Sequence, residues 1–154
     1  MPPKRKTILN ERNQYLLDAS FVVALIDAAD VHHQKSLQVL EKIEAAEGEI
    51  FLSDVLINEV LSVLAKRCES RGRTGGFASL AHSVTEWMYR CPILSLYDLV
   101  PKNYLLLVSM MVHSKGLLNF HDCLITLFLK ELPEVYLVTF DSDFETQKGI
   151  RVFS

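Results

Sequence analysis

The chain has 154 residues, 49% hydrophobic and 23% charged. That suits one globular domain with one core and excludes a disordered or fibrous chain. Its 16 basic and 19 acidic residues give a formal net charge of −3, so bulk charge does not advertise a nucleic-acid binder. The three cysteines, Cys68, Cys91 and Cys123, are odd in number and form no C-x-x-C pattern. They read as buried thiols in a reducing compartment. Residues 1–14 lack the apolar core of a signal peptide. The longest apolar stretch, 104–112, is interrupted by Ser109 and falls short of the roughly 20 residues that cross a bilayer. The expectation is a soluble cytoplasmic protein without membrane contact.

Residues 1–14, with Pro2, Pro3 and the run Lys4, Arg5, Lys6, read as a flexible basic tail before one domain over 15–154. Tyr15–Leu17 is a short apolar strand closed by Asp18, and Ser20 is the expected N-cap of a helix through Phe21–Ile26. A second helix is expected over about 30–46, its apolar positions Leu37, Leu40 and Ile43 at helical spacing, with Gly48 ending it. Ile50–Leu52 reads as a strand. Ser53 or Asp54 caps the next helix, whose broad apolar stripe runs through Leu56, Ile57, Val60, Leu61, Val63 and Leu64. The stretch Arg71–Gly76 is a loop: it has no G-x-x-x-x-G-K-[ST] pattern and follows no strand. A helix over 77–90 stops before Pro92, and 93–96 is a third strand. Pro101 fits the first turn of a helix to about Ser114, with Gly116 beyond it. Asn119 caps another helix that carries Asp122 in its first turn. Residues 135–139 and 150–153 are the last strands. Such alternation predicts an α/β fold with a parallel sheet covered on both faces.

Four acids stand at the edges of these elements: Asp18, Glu59, Asp122 and Asp141. Each has a local role open to it. Asp18 and Asp141 suit turns, Asp122 suits a variant capping box with Asn119, and Glu59 lies at the margin of its stripe. Together they imply more, because a parallel sheet brings the ends of its strands and the starts of the following helices to one rim. Carboxylates gathered there raise one another's pKa unless a hard divalent cation relieves them. Metal-assisted hydrolysis is therefore the leading expectation. No histidine or cysteine set is placed for zinc.

The segments around these acids resemble the PIN domain family, in particular its VapC-type toxins. The likeness rests on Leu17-Asp-Ala-Ser-Phe-Val-Val-Ala24, Asp30-Val-His-His33, Ser53-Asp-Val-Leu-Ile-Asn-Glu59, Leu118-Asn-Phe-His-Asp-Cys-Leu-Ile125 and Val138-Thr-Phe-Asp-Ser-Asp-Phe144, with Gly149-Ile-Arg-Val152 as the closing strand. It covers about residues 15–153. Ala19 stands where the family usually has Thr, and Thr126-Leu-Phe stands where it favours small residues. The resemblance implies a single PIN-like domain, with a parallel sheet of about five strands flanked by helices. It implies a Mg²⁺- or Mn²⁺-dependent endoribonuclease held in check by a cognate antitoxin, and a homodimer. Asp18, Glu59, Asp122 and Asp141 would be the catalytic metal ligands. Ser20, Thr139 and Asp143 would support them, and Lys66, Arg67, Arg71 and Arg73 are candidate RNA contacts. An apolar helical surface within residues 30–64 is expected to receive the partner. The competing expectation is a PIN-fold RNA-binding or regulatory module without cleavage. A receiver-like domain would need a lysine after a late strand, and 138–144 has none.

Overall fold

The computed structural model describes residues 12–154. The tail expected over 1–14 lies largely outside these, and Gln14 already belongs to the first strand. The elements run β1 (Gln14–Leu17), α1 (Ala19–Ile26), α2 (His33–Ala45), β2 (Glu49–Ser53), α3 (Asp54–Ser70), α4 (Phe77–Arg90), β3 (Ile93–Leu94), α5 (Val100–His113), α6 (Phe120–Glu131), β4 (Tyr136–Val138) and β5 (Arg151–Phe153). The five strands form one sheet in the order β3-β2-β1-β4-β5. Every pairing is parallel, with Leu16 beside Phe51 on one side and Leu137 on the other. The expected α/β fold is the observed one.

Strand alternation splits the core into two halves. Tyr15 and Leu17 pack with Phe21, Val39, Ile43, Leu56, Val60 and Leu64 on the side of α1 to α4. Leu16 and Leu137 pack with Leu107, Leu124, Ile125 and Leu129 on the side of α5 and α6. Gly48 is where the end of α2 passes β1: a Cβ there would come within 2.5 Å of the Tyr15 ring. Gly116, at φ 79°, takes the left-handed turn that follows α5.

Four local expectations need correction. Ser20 is inside α1, and Asp18 is its N-cap, accepting a hydrogen bond from the Ser20 backbone N–H. The buried side of α2 is Ser36, Val39 and Ile43, while Leu37 is 42% exposed. The third strand ends at Leu94 because the Asp54 carboxylate takes the backbone N–H groups of Leu96 and Tyr97, at 3.0 and 3.3 Å, drawing them out of the ladder. The exposed apolar surface is also elsewhere than expected. Within 30–64 the large exposed apolar side chains are Val31 and Leu37, whereas Ile57, Leu61 and Val63 pack against the core. The larger exposed group lies on α5: Tyr104, Leu105, Leu106, Val108 and Val112. Among the described residues no helix is long and apolar enough to cross a membrane.

Candidate active site

From β1, the chain steps outward through β2 to β3 on one side and returns to β4 and β5 on the other. The direction therefore reverses between β1 and β4. In a parallel sheet, that reversal opens a crevice at the carboxyl ends of the two strands. Asp18 follows β1 there and Thr139–Asp141 follows β4.

Asp18 is 5% exposed. Its backbone N–H donates to Val138 O at 3.0 Å, which extends the β1–β4 ladder by one rung. The Ser20 and Thr139 hydroxyls both donate to Asp18 Oδ2, each at 2.7 Å. Those hydroxyls are themselves fixed, since Phe140 N–H donates to Ser20 Oγ and Asp141 N–H to Thr139 Oγ1, each at 3.0 Å. Thr139 thus ties Asp18 to the segment bearing Asp141. Burial pushes the Asp18 carboxyl up, the two hydroxyls pull it back, and the nearby Glu59 adds a further push upward.

Asp122 comes from the first turn of α6, where Asn119 and Asp122 form a reciprocal capping box. Asn119 N–H donates to Asp122 Oδ2 at 2.8 Å, and Asp122 N–H donates to Asn119 Oδ1 at 3.0 Å. The Asp122 carboxyl is pushed up to about 6, first by burial and then by Asp18, Glu59 and Asp141. Asp141 caps a short 3-10 turn, Ser142–Thr146, and Asp143 N–H donates to its Oδ1 at 2.9 Å. Asp143 supports Asp141 through this backbone N–H, and its carboxylate is not among the groups lining the crevice. Glu59 projects from the second turn of α3, with His121 Nδ1 3.7 Å from its Oε2. The hydroxyl of Tyr97 stands 3.1 Å from His121 Nε2 and accepts from Asn58 Nδ2 at 3.1 Å.

All four acids line one pocket of about 340 Å³, together with Ser20, Asn119, Asp30, His32, Arg67 and Phe140. In Asp18, Asp122 and Asp141, the side-chain hydrogen bonds fall on one carboxylate oxygen and leave the other without one among the described residues. Hard oxygen donors of this kind suit a divalent cation. Among the described residues, no three His, Cys, Asp or Glu side chains stand close enough together to hold one ion. Behind Asp122, one turn along α6, Thr126 is fully buried and its hydroxyl has no hydrogen-bond partner among the described residues.

The basic candidates divide. Arg67 lines the pocket, and its Nη1 donates to Asp27 Oδ2 at 2.9 Å and Asp30 Oδ2 at 2.7 Å. Arg71 Nη1 also donates to Asp27 Oδ2, at 2.9 Å, and with Arg73 borders a different hollow near the end of α1. Lys66 is exposed and outside the pocket. The Asp27–Arg67–Asp30 cluster escapes a reading of local pattern, because its partners are 37 to 40 residues apart. His121 and His32 were likewise flanking letters in the motifs until the fold set His121 beside Glu59 and His32 in the pocket wall.

A family profile described as PIN domain matches residues 15–149. The chain belongs to the PIN domain family. Solved structures share the PIN fold at low identity. Mycobacterium tuberculosis VapC20, a Sarcin-Ricin loop cleaving toxin, is 18% identical with a TM-score of 0.66, covering 91% of this chain and 99% of that one. VapBC2 from Rickettsia felis bound to a promoter DNA fragment is 16% identical with a TM-score of 0.60, covering 90% and 96%. DNA-bound VapBC from Salmonella typhimurium is 14% identical with a TM-score of 0.62, also covering 90% and 96%. A comparison with curated proteins finds no match. The recurring element is the single PIN domain, and this chain spans nearly all of it.

Proposed function

We propose that this PIN domain is a metal-dependent endoribonuclease hydrolysing RNA phosphodiester bonds, and the toxin of a toxin–antitoxin pair. The observation that carries the reading is the convergence of Asp18, Glu59, Asp122 and Asp141 on one pocket at the reversal point of the sheet, with no arginine or lysine among the described residues paired to any of them. These four would hold one or two Mg²⁺ or Mn²⁺ ions. Magnesium keeps several of its waters, so not every carboxylate need be a direct ligand. When bound, the ion supplies charge neutralisation at the scissile phosphate and activation of water for attack.

The chain's own residues prepare that chemistry. Ser20 and Thr139 fix one oxygen of Asp18, the Asp143 backbone fixes one of Asp141, and the Asn119 backbone fixes one of Asp122. Each aspartate is thereby oriented before a cation arrives, which lowers the cost of assembling the site. His121 stands beside Glu59, its Nδ1 3.7 Å from Oε2, without a hydrogen bond to it.

The toxin reading draws on the fold shared with VapC20 and with the two VapBC complexes. The exposed apolar face of α5 supports protein partners, a second copy of the chain and an antitoxin. A cytoplasmic location goes with such a substrate and such partners.

The test is a purified full chain incubated with end-labelled RNA in Mg²⁺, Mn²⁺ or EDTA. The expected result is internal cleavage that needs the ion and disappears in Asp18→Asn and Asp122→Asn. Cleavage that survives EDTA or both substitutions contradicts the reading. RNA binding without turnover under every condition favours the non-cleaving module instead.

A further inference from the structure

Beside the carboxylates, the pocket has a second wall made of Val31, His32, Arg67 and Phe140. Val31 is 90% exposed there. One side chain sets this wall in place: Asp30 Oδ1 accepts the His32 backbone N–H at 2.8 Å, and Asp30 Oδ2 accepts Arg67 Nη1 at 2.7 Å. Asp27 takes the same Arg67 nitrogen. The guanidinium is therefore held through Nη1, while Nη2 and Nε make no hydrogen bond among the described residues. Held by one nitrogen, it keeps donors free for another acceptor. Its side chain is 34% exposed, and it is the one Lys or Arg among the described residues lining the pocket.

His32 adds a flat surface. Its ring stacks on Phe140, centroids 4.8 Å apart and planes 28° apart. Phe140 is backed by Phe21 at 5.6 Å, and the Lys35 ammonium lies 5.3 Å from the Phe140 centroid. One face of the His32 ring is thus occupied, and the residue remains exposed. An exposed ring braced from behind is a stacking platform for a base.

We infer that this wall is a nucleotide subsite of the ribonuclease proposed above. The free donors of Arg67 take a non-bridging phosphate oxygen, and the outer face of His32 stacks on the adjoining base of a single-stranded RNA. Asp30 is the positioning residue for both. Stacking accepts any base but requires one not already stacked in a duplex, so the subsite selects unpaired RNA rather than a sequence. The inference rests on the ribonuclease reading for its ligand.

The test uses the full chain carrying Asp122→Asn, so that RNA stays intact, and fluorescence anisotropy with a labelled short oligoribonucleotide. The strand is offered single, in duplex, and with one abasic position moved along it. His32→Ala should weaken the intact single strand about tenfold, the value of one stacked base, and leave unchanged a strand abasic at the stacked position. Arg67→Lys, which keeps the charge beside Asp27 and Asp30, should weaken intact and abasic strands alike. His32→Ala binding equal to the parent, an equal loss on intact and abasic strands, duplex bound as tightly as single strand, or no RNA binding at all each overturns the subsite. Wild-type cleavage indifferent to both substitutions removes the subsite and leaves the ribonuclease standing. The expected binding pattern without any cleavage in Mg²⁺ or Mn²⁺ does the reverse.

Discussion

Asp27 and Asp30 have side chains 7% and 8% exposed, much as Asp18 and Asp122 are 5% and 8% exposed as residues. Yet the carboxyls of the two pairs are shifted in opposite directions. Burial alone would raise Asp27 and Asp30, but Arg67, the Ala29 N–H and Arg71 at Asp27, and the His32 N–H and Arg67 at Asp30, outweigh it and hold both below the usual carboxylate range. Asp18 and Asp122 have hydroxyl and backbone donors but, among the described residues, no cationic partner, and both are raised. Both depth and partner separate the pairs: Asp18 and Asp122 are the more deeply desolvated, and Asp27 and Asp30 have a cation beside them. The arginine-paired acids are complete within the chain. The raised acids are costly as they stand, and such groups in a cleft mark a functional site.

The comparison breaks most readily at the unpaired acids. Asp122→Asn should lower RNA cleavage by about a thousandfold, measured as single-turnover rate in Mn²⁺, while the protein remains folded. At the paired acids the effect should fall on stability instead. Arg67→Ala leaves two buried carboxylates short of a partner and should cost about 2 kcal/mol, less than for a fully buried pair because the guanidinium is partly exposed. In a chain of this size that is a fall of about 6 °C in melting temperature. Arg67→Lys should recover part of it. Asn119→Ala removes the side-chain half of the capping box and should cost about 1 kcal/mol, read by chemical denaturation.

The smallest effect concerns pH. A carboxyl raised in the folded state favours folding below its unfolded pKa, and that contribution fades as pH rises through the folded value. With Asp122 at about 6, the metal-free melting temperature should rise slightly from pH 7.5 to pH 5.5. Asp122→Asn should flatten that rise. Asp27 and Asp30, lowered by their arginines, should matter only in acid. Their stabilisation is present above the unfolded carboxyl pKa and is lost as pH falls through their depressed folded values.

What the sequence made legible follows the range of the forces involved. The bounds of α4 agree with its pattern because Pro92 ends it locally. The Asn119–Asp122 box was readable for the same reason, since its members are three residues apart. The strand expected over 93–96 shortened because of Asp54, a partner 42 residues away. Leu37 was misplaced because a helical period leaves the phase of the buried face open, and Ser36 can be buried by donating to the His33 carbonyl. The four acids were found because chain order and parallel topology together imply one rim. Arg67 was named for its charge alone, and its grip by Asp27 and Asp30 depends on the fold. The partner surface was expected within residues 30–64, where the core takes up the apolar stripe of α3, while α5 leaves Tyr104, Leu105 and Val112 in the open.

Calorimetric titration of the metal-free chain with Mn²⁺ at neutral pH bears most directly on the unpaired acids. The expected result is saturable binding with proton release, since Asp122 is partly protonated near its raised pKa of about 6. Asp122→Asn should weaken or abolish that binding, and Asp27→Asn should leave it in place. Binding unchanged by Asp122→Asn, or no binding to the folded parent chain, would contradict the claim that these carboxylates form a divalent-cation site.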